Sequence, residues 1–380
     1  VPFLRAWLRR RSPLVLVPVA FLTLACGSPG GPDLSGSASV AAEQAKNPPA
    51  PSTQPREKQG EKTQQTSIDP KALRFGIANP PKKADGALRL AFYNVENLFD
   101  ANDDPKISGS VDDKTMTTPA VRLQAIADAI RRLDADVLAL SEIESKEALE
   151  EFRATYLGGL GYDHLASIDA GDGRGIEQAV LSRIEITAAK NWPSEAIADM
   201  DAKRTGDGWE KSSKGELPKR WARSPLMVDL KTKDGQQLVL FVVHHKSGRD
   251  FNAQRELEAL QTIAFAAERI GANKDINLAI LGDFNAVPSR KSVKVYAEAG
   301  FVNAYEFRVD PKARREAYVT HVTDRAIDYI FLSPGLAKDA VQRSFFVLGT
   351  PLPPEDASED ILVPGYASDH LPVALDVVIR

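Results

Sequence analysis

Six places in this chain of 380 residues set chemistry-bearing polar side chains directly against short apolar runs. They are Asn94-Val95-Glu96, Ser141-Glu142, His244-His245-Lys246-Ser247, Gly282-Asp283-Phe284-Asn285, Asp328 within Ala326–Phe331, and Ala367-Ser368-Asp369-His370. A carboxylate abutting an apolar strand is costly unless it is paired, hydrogen-bonded or bound to a cation. Strands of one sheet can bring such ends together at a rim, where ligand sites tend to form. Glu96, Glu142 and Asp369, with the amide of Asn94, are hard oxygen donors suited to Mg2+ or Mn2+. The histidines and further acids add groups that can move or hold a proton. The chain has no glycine-rich phosphate cradle and no Gly-x-Ser-x-Gly elbow. Hydrolysis of a phosphoester by metal, His and Asp is the chemistry this set describes.

The elements that must position these residues are legible in the patterning. Leu88, Leu90 and Phe92 alternate as in a half-buried strand, and Val137–Leu140, Leu238–Val243, Ile276–Leu281, Ile327–Leu332 and Val373–Ile379 read as further strands. Thr118-Pro119 predicts a helix start with threonine as cap and proline in the first turn, its apolar face running through Val121, Ile126, Ala129, Ile130 and Leu133. Asn252–Ile270 predicts a second helix, with a stripe through Leu257, Leu260, Ala264 and Ala267. Helices alternate with strands, yet some strands follow one another directly, which favours a mixed, layered α/β domain over residues 87–380.

The ordered set Asn94-Val95-Glu96, Ser141-Glu142, His244, Gly282-Asp283-Phe284-Asn285, Ile327-Asp328-Tyr329 and Ser368-Asp369-His370 resembles the endonuclease/exonuclease/phosphatase family, which includes deoxyribonuclease I. The resemblance implies a four-layer α/β/β/α sandwich, two sheets face to face with helices outside. It implies Glu142 as principal metal ligand, helped by Glu96, Asn94 and Asp369. Asp283 would orient and deprotonate the attacking water, and Asn285 would hold a phosphate oxygen. His370, paired with Asp328, would contact the scissile phosphate, and either it or Asp283 would be the base. His244 would stabilise phosphate charge or assist the leaving group. Ser141 stands where the family often has glutamine, a change in the surroundings of the metal glutamate. The Ile-Asp-Tyr-Ile form of the late motif looks more like the nuclease relatives than the inositol-phosphate phosphatases. The implied activity is a Mg2+- or Mn2+-dependent phosphodiesterase acting on nucleic acid. The alternatives are a phosphatase or phospholipase C-like hydrolase of sugar phosphates or phospholipid, and a surface binding module without catalysis.

Other polar residues carry weaker signals. Asp328 taken alone reads as a salt-bridged strand residue. Alternation should turn His245 away from His244, and His164 and His321 stand in no motif. Arg174, Lys246 and Arg249 are candidates to meet substrate phosphates, with Glu177 as a partner for Arg174 or a structural acid. The segment Ala202–Arg223 interleaves basic residues with Trp209 and Trp221, a composition that can grip a polyanion. A solvated loop whose tryptophans cover a sheet edge is the favoured reading.

At the start, Arg5 and Arg9 to Arg11 precede an apolar run, Leu14–Ala25, ending in small residues before Cys26. Basic, apolar and small-residue parts in that order predict an export signal. Cys26, the one cysteine, stands where a bacterial lipoprotein is acylated, which predicts a lipid anchor in the cell envelope. Residues 26–86, rich in Pro, Ser, Gly, Gln and Lys, read as a disordered tether. The formal charge of −4 argues against a globally basic nucleic-acid binder and leaves room for a local basic patch. No protein partner is implied, and the domain is expected to act as a monomer.

Overall fold

The computed structural model describes residues 73–102, 116–197, 220–354 and 363–380. Cys26, the signal segment, the tether up to residue 72 and most of the basic segment Ala202–Arg223 lie outside the described residues. The elements run β1 (Leu88–Leu98), α1 (Ala120–Leu133), β2 (Val137–Ile143), α2 (Lys146–Tyr156), β3 (His164–Ser167), β4 (Glu177–Ser182) and β5 (Glu185–Lys190). Then come β6 (Leu226–Lys231), β7 (Gln237–His244), α3 (Asn252–Ala272), β8 (Asn277–Asp283), α4 (Lys291–Glu298), β9 (Val302–Asn303), β10 (Asp328–Leu332), α5 (Pro334–Lys338), β11 (Phe346–Val347) and β12 (Val373–Val377).

The strands form two mixed sheets of six, in the orders β11-β12-β1-β2-β4-β3 and β5-β6-β7-β8-β10-β9. One core lies between the sheets, joining Leu90, Phe92, Ala139 and Val180 of the first to Leu240, Val242, Leu281 and Ile330 of the second. A second core packs α1 and α2 onto the outer face of the first sheet through Ile126, Ile130, Leu149 and Phe152. A third does the same for α3 and α4 on the other sheet, through Ala259, Ile263, Val293 and Tyr296. This is the four-layer sandwich that the motifs implied. Each fully buried Leu or Phe adds about 1.5–3 kcal/mol, so the three cores hold the strand ends in fixed register.

Two local expectations are corrected. Residues 73–86 do not behave as tether: Phe75 is buried, Ile77 N–H donates to Val347 O at 2.9 Å and Arg74 donates to Pro353 O at 2.9 Å. Apolar side chains spaced among the prolines were enough to add this segment to the fold. Thr118 is not the cap of α1, because Pro119 holds that position. The threonine hydroxyl instead accepts from Phe99 N–H at 2.9 Å and donates to Asn97 O at 3.0 Å, tying the helix entry to the end of β1. Val121 is 67% exposed, off the buried face its neighbours define.

Candidate active site

The inward rows of the sheets end in the polar residues. Leu90-Phe92 leads to Asn94, Leu240-Val242 to His244, Ala279-Leu281 to Asp283, and Leu332-Ile330 to Asp328. Alternation along each strand places all four side chains on the inter-sheet side at one rim. Parallel pairing of β7 with β8 sets His244 opposite Asp283, and antiparallel pairing of β8 with β10 sets Asp328 opposite Asp283. Gly282 is required by the closeness of β7: a Cβ there would stand 1.9 Å from Val243 O.

Glu142 reaches the rim by breaking the alternation. Leu138 and Leu140 face the helices, so a regular strand would send Glu142 the same way. A register shift between Ser141 and Ile143, with Glu142 at φ 64°, turns its side chain to the inter-sheet side. Glu96 at φ 54° and Asn285 at φ 49° share this left-handed backbone. Such conformations cost energy and collect at functional sites.

At the centre, Asn94 Nδ2 donates to Glu142 Oε1 at 3.2 Å and Asp283 Oδ2 at 3.3 Å, and lies 3.5 Å from His370 Nε2. Asn285 N–H donates to Asp283 Oδ1 at 2.7 Å, and its Nδ2 to Asp283 Oδ2 at 3.1 Å. His244 Nε2 lies 3.5 Å from Asp283 Oδ2 and 3.7 Å from Glu142 Oε1. His370 Nδ1 meets both Asp328 oxygens, at 2.9 and 3.1 Å, leaving Nε2 to face Asp283 at 3.8 Å. Asp328 is therefore the partner of His370, and the salt bridge expected of that residue is made to this histidine.

Burial pushes Asp283 up to about 7, against the pull of His370 and with a push from Asp328. Burial alone would lower His370, but the Asp328, Asp369 and Asp283 carboxylates hold it well above the ordinary imidazole range. Burial lowers His244 well below that range, helped by the cations Arg223 and Arg174. The rim thus combines a cationic and a neutral imidazole.

The four residues expected to ligate metal fall into two neighbouring groups. Glu142 and Asn94 share the centre, whereas Glu96 receives Tyr366 Oη–H at 2.7 Å and Arg122 at 3.2 Å. Asp369 Oδ2 lies 3.3 Å from His321 Nε2. The groups touch electrostatically, since Asp369 adds to the burial that raises the Glu96 carboxyl. Ligand-competent atoms of His321, Asp369 and His370, and of Asp283, Asp328 and His370, lie within 4.8 Å of one another, a buried His/Asp cluster consistent with a metal site. His321 was missed from sequence because no motif surrounds it; a β-bridge to His370 brings it in.

Of the remaining candidates, Arg174 comes closest, with a guanidinium nitrogen 3.5 Å from Glu142 Oε1. Of the two readings of Glu177 the structural acid holds, since it accepts from Ser167 Oγ at 2.6 Å inside the sheet. Lys246 Nζ lies over the Phe251 ring at 4.5 Å, and Arg249 is exposed on the turn that follows. His245 faces away from the rim, 2.9 Å from Tyr296 Oη, as alternation required. Arg223 and Trp221 are buried, so this end of the basic segment is structural. The Arg223 fork donates to His244 O, His245 O and Asp172 Oδ2, and Asp172 Oδ1 accepts Arg174 N–H.

A family model for the endonuclease/exonuclease/phosphatase family matches residues 91–370. The chain belongs to that family. As a member of the endonuclease/exonuclease/phosphatase family it is a hydrolase acting on phosphoester bonds. No curated protein matches the chain in sequence. Among solved structures, the catalytic domain of human Nocturnin with bound sulfate is 19% identical, with 78% of this chain and 96% of that chain covered at a TM-score of 0.52. An endonuclease/exonuclease/phosphatase family protein from Bacteroides thetaiotaomicron is also 19% identical, over 77% and 98%, at a TM-score of 0.49. A mannosyl-6-phosphatase from the same organism is 19% identical over 77% and 100%, also at 0.49. At these identities the likeness is one of fold.

Proposed function

We propose that this chain is a divalent-metal-dependent phosphodiesterase that cleaves nucleic acid, held at the bacterial cell envelope through a lipid on Cys26. The observation that carries the chemistry is Asp283, whose Oδ2 stands among Asn94, Asn285, His244 and His370 within 3.1–3.8 Å. A carboxylate so placed is fit to take a proton from attacking water, and of the two candidate bases it is the one assigned here. His370, fixed by Asp328, donates from Nε2 to a non-bridging phosphate oxygen. Asn285 orients Asp283 and meets a second oxygen. Neutral His244 offers an N–H where charge develops on the phosphate. Water oxygen bonds to phosphorus, the bond to the leaving oxygen breaks, that oxygen takes a proton from solvent, and the products are an alcohol and a phosphomonoester. The oxygen-rich donor set fits Mg2+ or Mn2+, with Glu142, Glu96, Asn94 and Asp369 to hold it; bound there, the ion would supply Lewis-acid charge to the phosphate.

The test uses the full chain, stripped with chelator and assayed with and without Mg2+ or Mn2+. Substrates are plasmid DNA, RNA, bis(p-nitrophenyl) phosphate and p-nitrophenyl phosphate, with His370→Ala as control. Metal-dependent cleavage of nucleic acid, absent in the control, is the expected result. Turnover of the monoester alone would make the protein a phosphatase, and turnover of phospholipid alone a lipid hydrolase. For the anchor, Cys26→Ser should move the protein from the membrane to the soluble fraction; unchanged partitioning overturns it.

A further inference from the structure

His321 belongs to no motif, and the turn that carries it into the rim is fastened on two sides. Val322 N–H donates to Asp369 O and Leu371 N–H to Thr320 O, both at 2.8 Å. Thr320 Oγ1 accepts from Ile327 N–H at 2.9 Å and from Asp328 N–H at 3.2 Å. The turn thus ties the start of β10 to the segment of Asp369 and His370. The His321 ring is buried and stands perpendicular to the His370 ring, with centroids 4.6 Å apart.

The two ring nitrogens of His321 are held in different ways. Nδ1 receives the backbone N–H of Thr323 at 3.0 Å. A backbone N–H can only donate, so Nδ1 presents a lone pair and the ring proton sits on Nε2. The Thr323 hydroxyl, 2.7 Å from Nδ1, therefore donates to the same nitrogen, and its oxygen accepts Arg325 Nε–H at 2.7 Å. Thr323 and Arg325 are exposed and line a groove shared with Arg249 and Asn285, so the outer end of this relay lies at the surface. At its inner end, His321 Nε2 lies 3.3 Å from Asp369 Oδ2. The other oxygen, Asp369 Oδ1, lies 3.9 Å from His370 Nε2, the nitrogen that faces Asp283.

His321 stands close enough to Asp369 and His370 to complete a trio of metal ligands. A ring nitrogen that bears a proton has no lone pair to give a cation, and the Thr323 N–H keeps the proton on Nε2. We propose that His321 is a positioning residue, whose Nε2–H holds Asp369 Oδ2 and so turns Oδ1 toward the divalent cation. Carboxylates that ligate metal are commonly steadied by such outer hydrogen bonds. The inference rests on the reading in which Asp369 is a metal ligand.

The test uses the full chain, made with isotope-labelled histidine and stripped with chelator. Long-range proton–nitrogen spectra report which ring nitrogen carries the proton, the His321 signals being assigned by their absence from a His321 variant. The Nε2–H form is expected, and a proton on Nδ1 overturns the inference. Affinity for Mn2+ is then read from the electron paramagnetic resonance signal of the free ion. His321→Phe keeps a planar ring without the donor and should bind Mn2+ about 10–100-fold more weakly. His321→Gln returns an N–H near the place of Nε2 and should recover most of that loss. Wild-type affinity in His321→Phe overturns the inference. So does a glutamine variant no better than the phenylalanine one, the result expected of an imidazole that ligates the metal itself. Asp369→Ala separates the two readings. If it binds Mn2+ like the wild type, the metal role of Asp369 fails; if it loses affinity and His321→Phe does not, the positioning role alone fails. Should His321→Phe not fold, the tautomer and the glutamine variant decide: near-wild-type affinity in His321→Gln supports the donor, and a loss as large as that of Asp369→Ala overturns it.

Discussion

Strand β1 carries buried charge at both of its ends, and the two ends are built on opposite principles. Near its start, Arg89 grips Asp376 of β12 at 2.7 and 3.0 Å, and two further N–H groups donate to Leu133 O and Pro81 O. One cation faces one anion, and the guanidinium is wrapped in acceptors. Near its other end, Asn94 lies among Glu142, Asp283 and His370, with Asp328 and His244 close by. There the acids outnumber the cations, and Asp283 is shared by four neighbours rather than owned by one. His244 Nδ1, Ser141 Oγ and the Gln178 amide are buried with no hydrogen-bond partner among the described residues. Completed pairing marks a structural ion pair, whereas buried polarity left incomplete marks a place prepared for a ligand.

The sharpest test of the contrast is to remove one charge from each end. Asp283→Ala should lower turnover by about 10³-fold, within the range for a lost general base, and leave the melting temperature equal or higher. A variant with near-normal turnover would falsify the role given to Asp283. Arg89→Ala should do the reverse, costing about 3–5 kcal/mol of stability in denaturant unfolding, with activity per folded molecule retained. Arg89→Met/Asp376→Leu should recover most of that loss, because it strands no charge; failure to recover would mean the pair does more than hold the fold.

Arg223 sharpens the comparison, since it is paired like Arg89 yet touches the rim through His244 O and, by way of Asp172, the Arg174 loop. Arg223→Lys keeps the charge and loses the fork, so kcat should drop about tenfold from misplacement with KM little changed. A pure stability loss with unchanged kcat would make Arg223 merely structural.

A pH-dependent effect concerns Glu177, a buried acid that accepts from the neutral hydroxyl of Ser167. Burial raises its carboxyl to about 7 from the ordinary 4.5. Below the lower value both folded and unfolded chains keep the proton. As pH rises from 4.5 through 7, the unfolded chain ionises first and stability falls. Glu177→Gln should therefore gain on the wild type across that window, by up to about 2–3 kcal/mol, and match it at lower pH. Parallel stability curves at all pH values would show that Glu177 is ionised in the fold.

Much of this was legible before any coordinates. Apolar runs abutting polar residues identified six of the strands and the polar clusters at their ends, and alternation separated His244 from His245, because a strand has only two faces. The motif order carried the pairing of His370 with Asp328, and alternation alone turned His245 away. What the sequence could not decide depends on departures from regularity and on distant pieces of chain. Glu142 faces the rim only through a bulge, and His321 joins Asp369 only through a bridge between loops. Arg174 found Glu142 rather than Glu177, and Arg223 left the basic segment for the interior. Arg249 and Arg325 line one groove though 76 residues apart in number. Periodicity fixes which face a residue takes within its own element. Which elements meet, and which backbone irregularities their packing can sustain, is settled only when the three cores close together.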